Sequence, residues 1–312
     1  MKAENAENLL ARAEETRNLI EDRQAELAFL NRIMAQVTLP HSKPTVLDPL
    51  NPKKRVELYE FEGSDGNVSL YVESQKVSDG RGGWSRPGLP YGAIPRLILV
   101  YINTYAVRHN SRKVILGSSL SEFMRELGIT PAWGKNGRAV YVIDQLNRLL
   151  SCRFAFAKVD PVKKRQQSIS AAVTSFREDA LLWWDERTPE QMTLEPSSIV
   201  LSEEFFEFIR QSPLPLYMDV LREIKDSALA LDLYVWLSYR THPNRLKENY
   251  VLKWAFLKKQ LGTGYSDIDN FVRAVKEQLP KLYTAWEEPP AVPVRGGLML
   301  IPTRPLVPEK LR

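Results

Sequence analysis

The chain has 312 residues, enough for two domains of ordinary size and a short extension. A hydrophobic share of 44% beside 26% charged residues marks a globular protein and excludes a disordered tail. Lys and Arg outnumber Asp and Glu by 43 to 38, and the net charge of +5 permits a polyanionic partner.

One cysteine, Cys152, lies in the apolar run Leu149–Ala157. A lone thiol excludes an internal disulfide and fits a reducing cytoplasm. No apolar stretch reaches the roughly 18 residues of a membrane span, so no membrane partner is expected. The start, Met1-Lys2-Ala3-Glu4, lacks the apolar core of a signal peptide.

In residues 5–36, Leu9, Ala13, Thr16, Ile20, Leu27, Leu30 and Met34 recur at spacings of three and four, with Arg23 interrupting. This predicts an N-terminal helix within residues 1–37. Its other faces are more acidic than basic and would repel DNA, so it is expected to pack on its own domain; self-association is the alternative. Pro40, Pro44, Pro49 and Pro52 predict an extended linker over 38–55. Val56–Phe61 and Val68–Val77 read as strands around the turn Gly63-Ser64-Asp65-Gly66, and Gly80–Pro90 as loop.

From Pro90 one plan is written twice: helical patterns, then two strand-like runs around a basic or Gly-rich turn. In the first copy Ile94–Arg108 is a strongly apolar helix. Ser118 or Ser119 caps a second helix, Leu120–Leu127, supported by Glu122 and ended by Gly128. A third helix, Arg138–Ser151, precedes strands Cys152–Val159 and Ser168–Phe176 around the turn Asp160–Gln167. Asp179–Glu195, with Trp183 and Trp184, passes between the halves. The second half reads as strand Ser198–Leu201, then helices Glu203–Arg210, Tyr217–Arg222, Ala228–Arg240 and Tyr250–Leu261. After the turn Gly262–Gly264, Ser266 caps helix Asp267–Leu282, and strands Leu282–Trp286 and Val292–Ile301 close the chain. The expected fold is α+β and mostly helical: two tandem winged-helix domains (38–192 with a small extra hairpin, and 193–312) preceded by an N-terminal helix over 1–37.

A helix-turn-helix followed by a strand pair offers one helix to the major groove and a wing to the backbone of duplex DNA. In the first copy Lys135, Asn136 and Arg138 stand at the start of the third helix, with Tyr141, Gln145 and Arg148 along its outer face. Arg suits guanine, and Asn or Gln suits adenine. Lys163, Lys164, Arg165 and Gln167, beside Gln166, form a basic wing tip suited to phosphates or the minor groove. In the second copy Tyr265, Ser266, Asp269, Asn270, Arg273 and Lys276 lie opposite Ile268, Phe271, Val272 and Val275. Arg273 is the candidate base reader and Lys276 a phosphate contact. The segment His242–Lys259 carries Arg245, Lys247, Lys253, Lys258 and Lys259 against Glu248, and Arg295 precedes Gly296-Gly297 as a second wing contact. Solvated helix faces and a hairpin charged for solubility account for the same residues.

Enzymatic chemistry finds no support here. His41, His109 and His242 lack metal-ligand spacing, so no metal site, cofactor or catalytic residue is expected. Five residues separate Gly128 from Gly134 where a phosphate loop has four, and Asn136 follows Lys135 where Ser or Thr belongs.

The blocks Tyr91-Gly92-Ala93-Ile94-Pro95-Arg96-Leu97 and Leu116-Gly117-Ser118-Ser119-Leu120-Ser121-Glu122-Phe123-Met124-Arg125-Glu126-Leu127-Gly128 resemble the plasmid-encoded RepA replication initiators. So do Ser212-Pro213-Leu214-Pro215-Leu216-Tyr217 and Leu231-Asp232-Leu233-Tyr234-Val235-Trp236-Leu237. The likeness spans about residues 85–285 and omits the N-terminal helix. It implies a bacterial protein that binds double-stranded repeats at a plasmid origin, helps open nearby DNA, and recruits the host initiator and replicative helicase. It also implies paired winged helices and a switch between a repressing homodimer and an initiating monomer. A transcriptional regulator of the same architecture, a nicking enzyme and a protein-interaction scaffold stay open as alternatives.

Overall fold

The computed structural model describes residues 26–78, 82–134, 137–160, 165–174, 180–181 and 195–308. Strand β1 (Leu27–Asn31) is followed by the hairpins β2–β3 (Thr45–Asp48, Asn51–Glu57), β4–β5 (Glu60–Ser64, Val68–Ser74) and the minimal β6–β7 (Val77–Ser78, Trp84–Ser85). Next come helix α1 (Ala93–His109), strand β8 (Lys113–Gly117), helices α2 (Leu120–Glu126) and α3 (Arg138–Leu150), and strands β9 (Cys152–Asp160) and β10 (Arg165–Ala172). Short β11 (Ala180–Leu181) and β12 (Ser197–Val200) precede α4 (Glu203–Gln211), β13 (Pro213–Tyr217), α5 (Met218–Glu223) and α6 (Ala228–Arg240). The chain finishes with β14 (Tyr250–Lys253), α7 (Trp254–Leu261), α8 (Ile268–Leu282) and the hairpin β15–β16 (Ala291–Val294, Gly297–Leu300).

Helices α1 and α6 are apolar on almost every face, and a helix of that kind must be surrounded. Ile98, Ile102 and Ala106 of α1 and Leu233, Tyr234, Trp236 and Leu237 of α6 are fully buried. The two helices touch, and the apolar side chains of both halves form one contiguous core. Beside them lies the sheet β10-β9-β5-β4, whose β5 turns Val68, Leu70 and Val72 inward and whose β9 turns Phe154 and Phe156 inward. Phe156 stacks on Phe208 of α4 with ring centroids 4.7 Å apart.

The expectation of a mostly helical chain of two tandem winged helices behind an N-terminal helix is corrected here. Helix and strand stand at 37% and 29%, in several small antiparallel sheets. The two halves also do not repeat one plan. In the first, β8 pairs with β12 from the second half, while β9 and β10 are extended by β5 and β4. In the second, β14, β16 and β15 form a sheet of their own.

The N-terminal helix expectation fails where it can be examined; its first 25 residues lie outside the described part. Leu27–Asn31 is a strand because β13 supplies a pairing edge and α1 supplies polar partners. The Phe29 amide donates to Thr104 Oγ1 at 2.8 Å, and the Asn31 amide donates to Asn103 Oδ1 at 3.2 Å. The expected linker over 38–55 contains the β2–β3 hairpin. The expected helix Tyr250–Leu261 splits into β14 and α7, since β16 captures its first four residues. Asp267, not Ser266, caps α8, accepting from the Asp269 amide at 3.1 Å. Leu282–Trp286 is the end of α8 and a 3₁₀ turn instead of a strand.

The halves meet at a buried ion pair. Arg96 of α1 holds Asp232 of α6 with two bonds, Nε to Oδ1 at 2.7 Å and Nη2 to Oδ2 at 2.9 Å. Its remaining N–H groups donate to the carbonyls of Leu39, Pro40 and Gly92 and to Thr38 Oγ1. Thr38 Oγ1 also donates to Asp232 Oδ2, and His41 Nε2 lies 2.7 Å from the same oxygen. The segment after β1 is thus tied to both central helices. Burial by itself raises the Asp232 pKa, but the Arg96 charge and the His41 and Arg96 bonds outweigh it and bring it down to about 2.

Removing one partner leaves a buried charge uncompensated. Asp232→Ala is therefore expected to lower the unfolding free energy by about 3–5 kcal/mol, read from urea denaturation at pH 7. Because the folded pKa is depressed, the carboxylate's contribution is full above its unfolded value of 3.8 and is lost as pH falls toward about 2. The stability gap between parent and Asp232→Asn should narrow across that window.

Candidate nucleic-acid interface

Several exposed cations gather on α7, α8 and one end of the β14-β16-β15 sheet, with Asp267, Asp269 and Glu277 also exposed at α8. Helix α8 is amphipathic: Phe271, Val275, Leu279 and Leu282 are buried, while Asn270, Arg273 and Lys276 are exposed. Arg273 Nη2 donates to Asn270 Oδ1 at 2.5 Å, which links two of the predicted contacts on one face. Ser266 is exposed just before the helix. Tyr265 is half-buried, its ring edge-on to Phe271 and to His41, and burial, with Glu277 adding, pushes its phenol pKa up.

Lys253 ends β14 opposite Gly297, and the next amide, Trp254, donates to the Gly296 carbonyl at 3.3 Å. That register sets exposed Lys253 beside the turn that carries exposed Arg295; Gly296 takes φ +83° there, a conformation that favours glycine. Lys253, Lys259, Lys276 and Arg295 form no ion pair among the described residues. Phe256 of α7 is 62% exposed between Lys253 and Lys259. The sequence reading missed it, although the signal was present: Phe256 falls off the buried stripe Trp254, Leu257 and Leu261.

The first-half candidates divide differently. Lys135, Asn136, Lys163 and Lys164 lie outside the described residues, and of Arg165 and Gln167 only the backbone is described. Arg138 and Tyr141 are exposed, and Arg138 reaches Asp226 at 3.6 Å across an open surface, where such a pair is weak. Trp133 and Val140 are exposed nearby.

Gln145 and Arg148 are corrected: both are buried. The chain before α1 covers this face of α3. Gln145 accepts from the Tyr91 amide at 2.8 Å and donates to Asp144 at 2.9 Å. Arg148 holds Asp144 at 2.8 Å, pairs with Glu57, donates to the Leu89 carbonyl at 3.3 Å, and lies over the Tyr91 ring. Burial works to lower the Arg148 pKa, and the bonds to Glu57 and Asp144 outweigh it and raise it. Gly88, at φ +98°, passes so close to the Glu57–Arg148 pair that a Cβ would collide with both side chains. Arg148→Ala should therefore lower the unfolding free energy by about 1–3 kcal/mol, read as a shift of the urea midpoint.

The histidines stand apart. His41 is bonded to Asp232, and His109 packs on Tyr105 with ring centroids 4.2 Å apart. Among the described residues no group of three or more His, Cys, Asp or Glu side chains is arranged to hold a metal. No described helix is long and apolar enough to cross a membrane.

These features define a mixed α/β protein whose second half presents a cationic, partly aromatic helical surface. The model of the plasmid-encoded RepA protein family matches residues 89–256, more than half of the chain, and the chain belongs to that family of RepA-type replication initiators. The matched segment runs from the covering loop before α1 into α7 and stops short of α8. Two crystal structures of domains 2 and 3 of RctB are similar at 13% identity. One has a TM-score of 0.44 and covers 78% of this chain and 91% of its own. The other has a TM-score of 0.42 and covers 86% and 94%. No curated protein matches the chain.

Proposed function

We propose that this protein binds double-stranded DNA at a plasmid origin through the α7–α8 surface and the β15–β16 turn. The observation that carries the reading is the set of exposed cations without ion-pair partners among the described residues: Lys253, Lys259, Lys276 and Arg295, with Arg273 on the same α8 face as Asn270. A cation already paired with a carboxylate gains little from a phosphate; an unpaired one displaces counterions from DNA and gains affinity that falls with salt. In this reading Arg273 and Asn270 face base edges, Lys253, Lys276 and Arg295 hold phosphates, and Phe256 packs on sugar or thymine methyl groups. Family membership supports origin DNA as the target and the host initiator and replicative helicase as later partners.

The role is one of recognition without catalysis by this chain. Incubation with supercoiled origin plasmid and Mg²⁺ should leave the plasmid unnicked.

Arg273→Ala is expected to weaken binding to origin duplex by about 1–3 kcal/mol and relax sequence preference at one position. Lys276→Ala should weaken all sequences alike and reduce the slope of log K against log salt by about 1. Fluorescence anisotropy across a salt series reads both. Equal affinities for parent and both variants would overturn the assignment.

A further inference from the structure

The β2–β3 hairpin has no role in the surface described above, and its construction is unusual. It is open on both sides. Val46 and Leu47, on opposite faces of β2, are 45% and 53% exposed, and Leu50 at the tip is 96% exposed. A two-stranded ribbon gains little stability by itself, so exposed apolar groups on both faces call for a partner. The tip is the two-residue turn Pro49-Leu50, held by Asp48 Oδ1 accepting from the Leu50 amide at 2.9 Å.

Behind the tip the ladder is irregular. Leu47 faces Arg55 and Asp48 faces Asn51, which leaves Pro52, Lys53 and Lys54 without opposite residues. Such a bulge turns side chains outward. Lys53, Lys54 and Arg55 are exposed, and neither lysine forms an ion pair among the described residues. Arg55 Nε donates to Thr45 Oγ1 at 2.8 Å. The carboxylate at the root, Glu57, is occupied by Lys43 at 2.7 Å and by Arg148 of α3. The root is therefore rigidly anchored. The paired length from Thr45 to Asp48 projects about 10 Å at the usual strand rise.

We propose that this ribbon is a minor-groove arm: Pro49-Leu50 wedges at a base step while Lys53, Lys54 and Arg55 hold the flanking phosphates. Charge complementarity selects the occupant, since three consecutive cations adjoin an apolar tip whose one carboxylate is engaged in its own turn. Proline and leucine are among the side chains that open base steps from the minor groove and kink duplexes by about 20–90°. The proposal rests on the duplex-binding reading above and adds deformation to it: the protein bends origin DNA beside the site that α8 holds.

The test uses the full chain and a doubly labelled origin duplex, with end-to-end energy transfer for the bend and hydroxyl-radical footprinting for the minor groove. The parent is expected to bend the duplex and protect a minor-groove patch. Pro49→Ala/Leu50→Ser should lose the bend and that patch while keeping the α8-dependent protection. Lys53→Ala/Lys54→Ala should reduce the salt slope by about 2. All these positions are exposed, and urea midpoints equal to the parent's check that the variants fold. If the wedge variant bends DNA as the parent does while Arg273→Ala weakens binding, the arm is refuted and the duplex-binding reading survives. If the wedge variant alters self-association in sedimentation and leaves the bend intact, the ribbon serves a second copy and the proposal is overturned. Absence of binding by the parent at low salt refutes both.

Discussion

The contact between Arg96 and Asp232 organises this molecule. Each side chain comes from a central helix of a different half, and the guanidinium is completed by three carbonyls and a hydroxyl from the N-terminal segment and α1. Buried charges are tolerated only when paired and fully bonded, so the geometry of three chain segments is fixed together. The same segment reaches onward to the α7–α8 surface. The His41 amide and the Leu39 carbonyl both meet Thr263 Oγ1, and Gln260 Nε2 donates to the Gln36 carbonyl at 2.8 Å. The turn between α7 and α8 is thus held by the strap that carries Thr38 and His41 to Asp232. The polar cluster thus ties the turn before α8 to the seam between the halves, alongside the shared apolar core and the β1–β13 and β8–β12 pairings.

Local signals were legible where local physics decides the outcome. Ser119 accepts from the Glu122 amide at 3.1 Å, and α6 has the bounds its apolar run predicts. Gly128 ends α2 at φ +71°. The larger failures share a cause, a partner distant in sequence. Leu27, Leu30 and Met34 fit a helical stripe, yet β13 pairs Leu27–Asn31 as a strand and Met34 falls in the turn that follows. The prolines of β13 argue against a strand in isolation, and a ribbon with one unpaired edge accommodates them. The four prolines of 38–55 suggested a linker, yet Pro49 sits in the two-residue tip of a local hairpin and Pro52 lies just behind it.

The candidate site follows the same division. The exposed face of α8 was readable because Phe271, Val275 and Leu279 set the inward stripe. Gln145 and Arg148 occupy equally polar positions on α3, but the loop before α1 folds over them and converts them into structural anchors. Periodicity identifies which side of a helix is polar; it does not say whether another segment will cover that side. Phe256 shows the converse, an apolar side chain left uncovered between exposed Lys253 and Lys259.

The pairing of β1 with β13 carries a consequence in time. Leu27 lies opposite Tyr217, so more than two thirds of the chain must leave the ribosome before the first described strand meets its mate. At synthesis rates of about 5–20 residues per second, that interval is roughly ten to forty seconds. Throughout it Ala28 and Leu30 have no β13 to lie against. A nascent chain of this protein therefore closes its β1–β13 ribbon late.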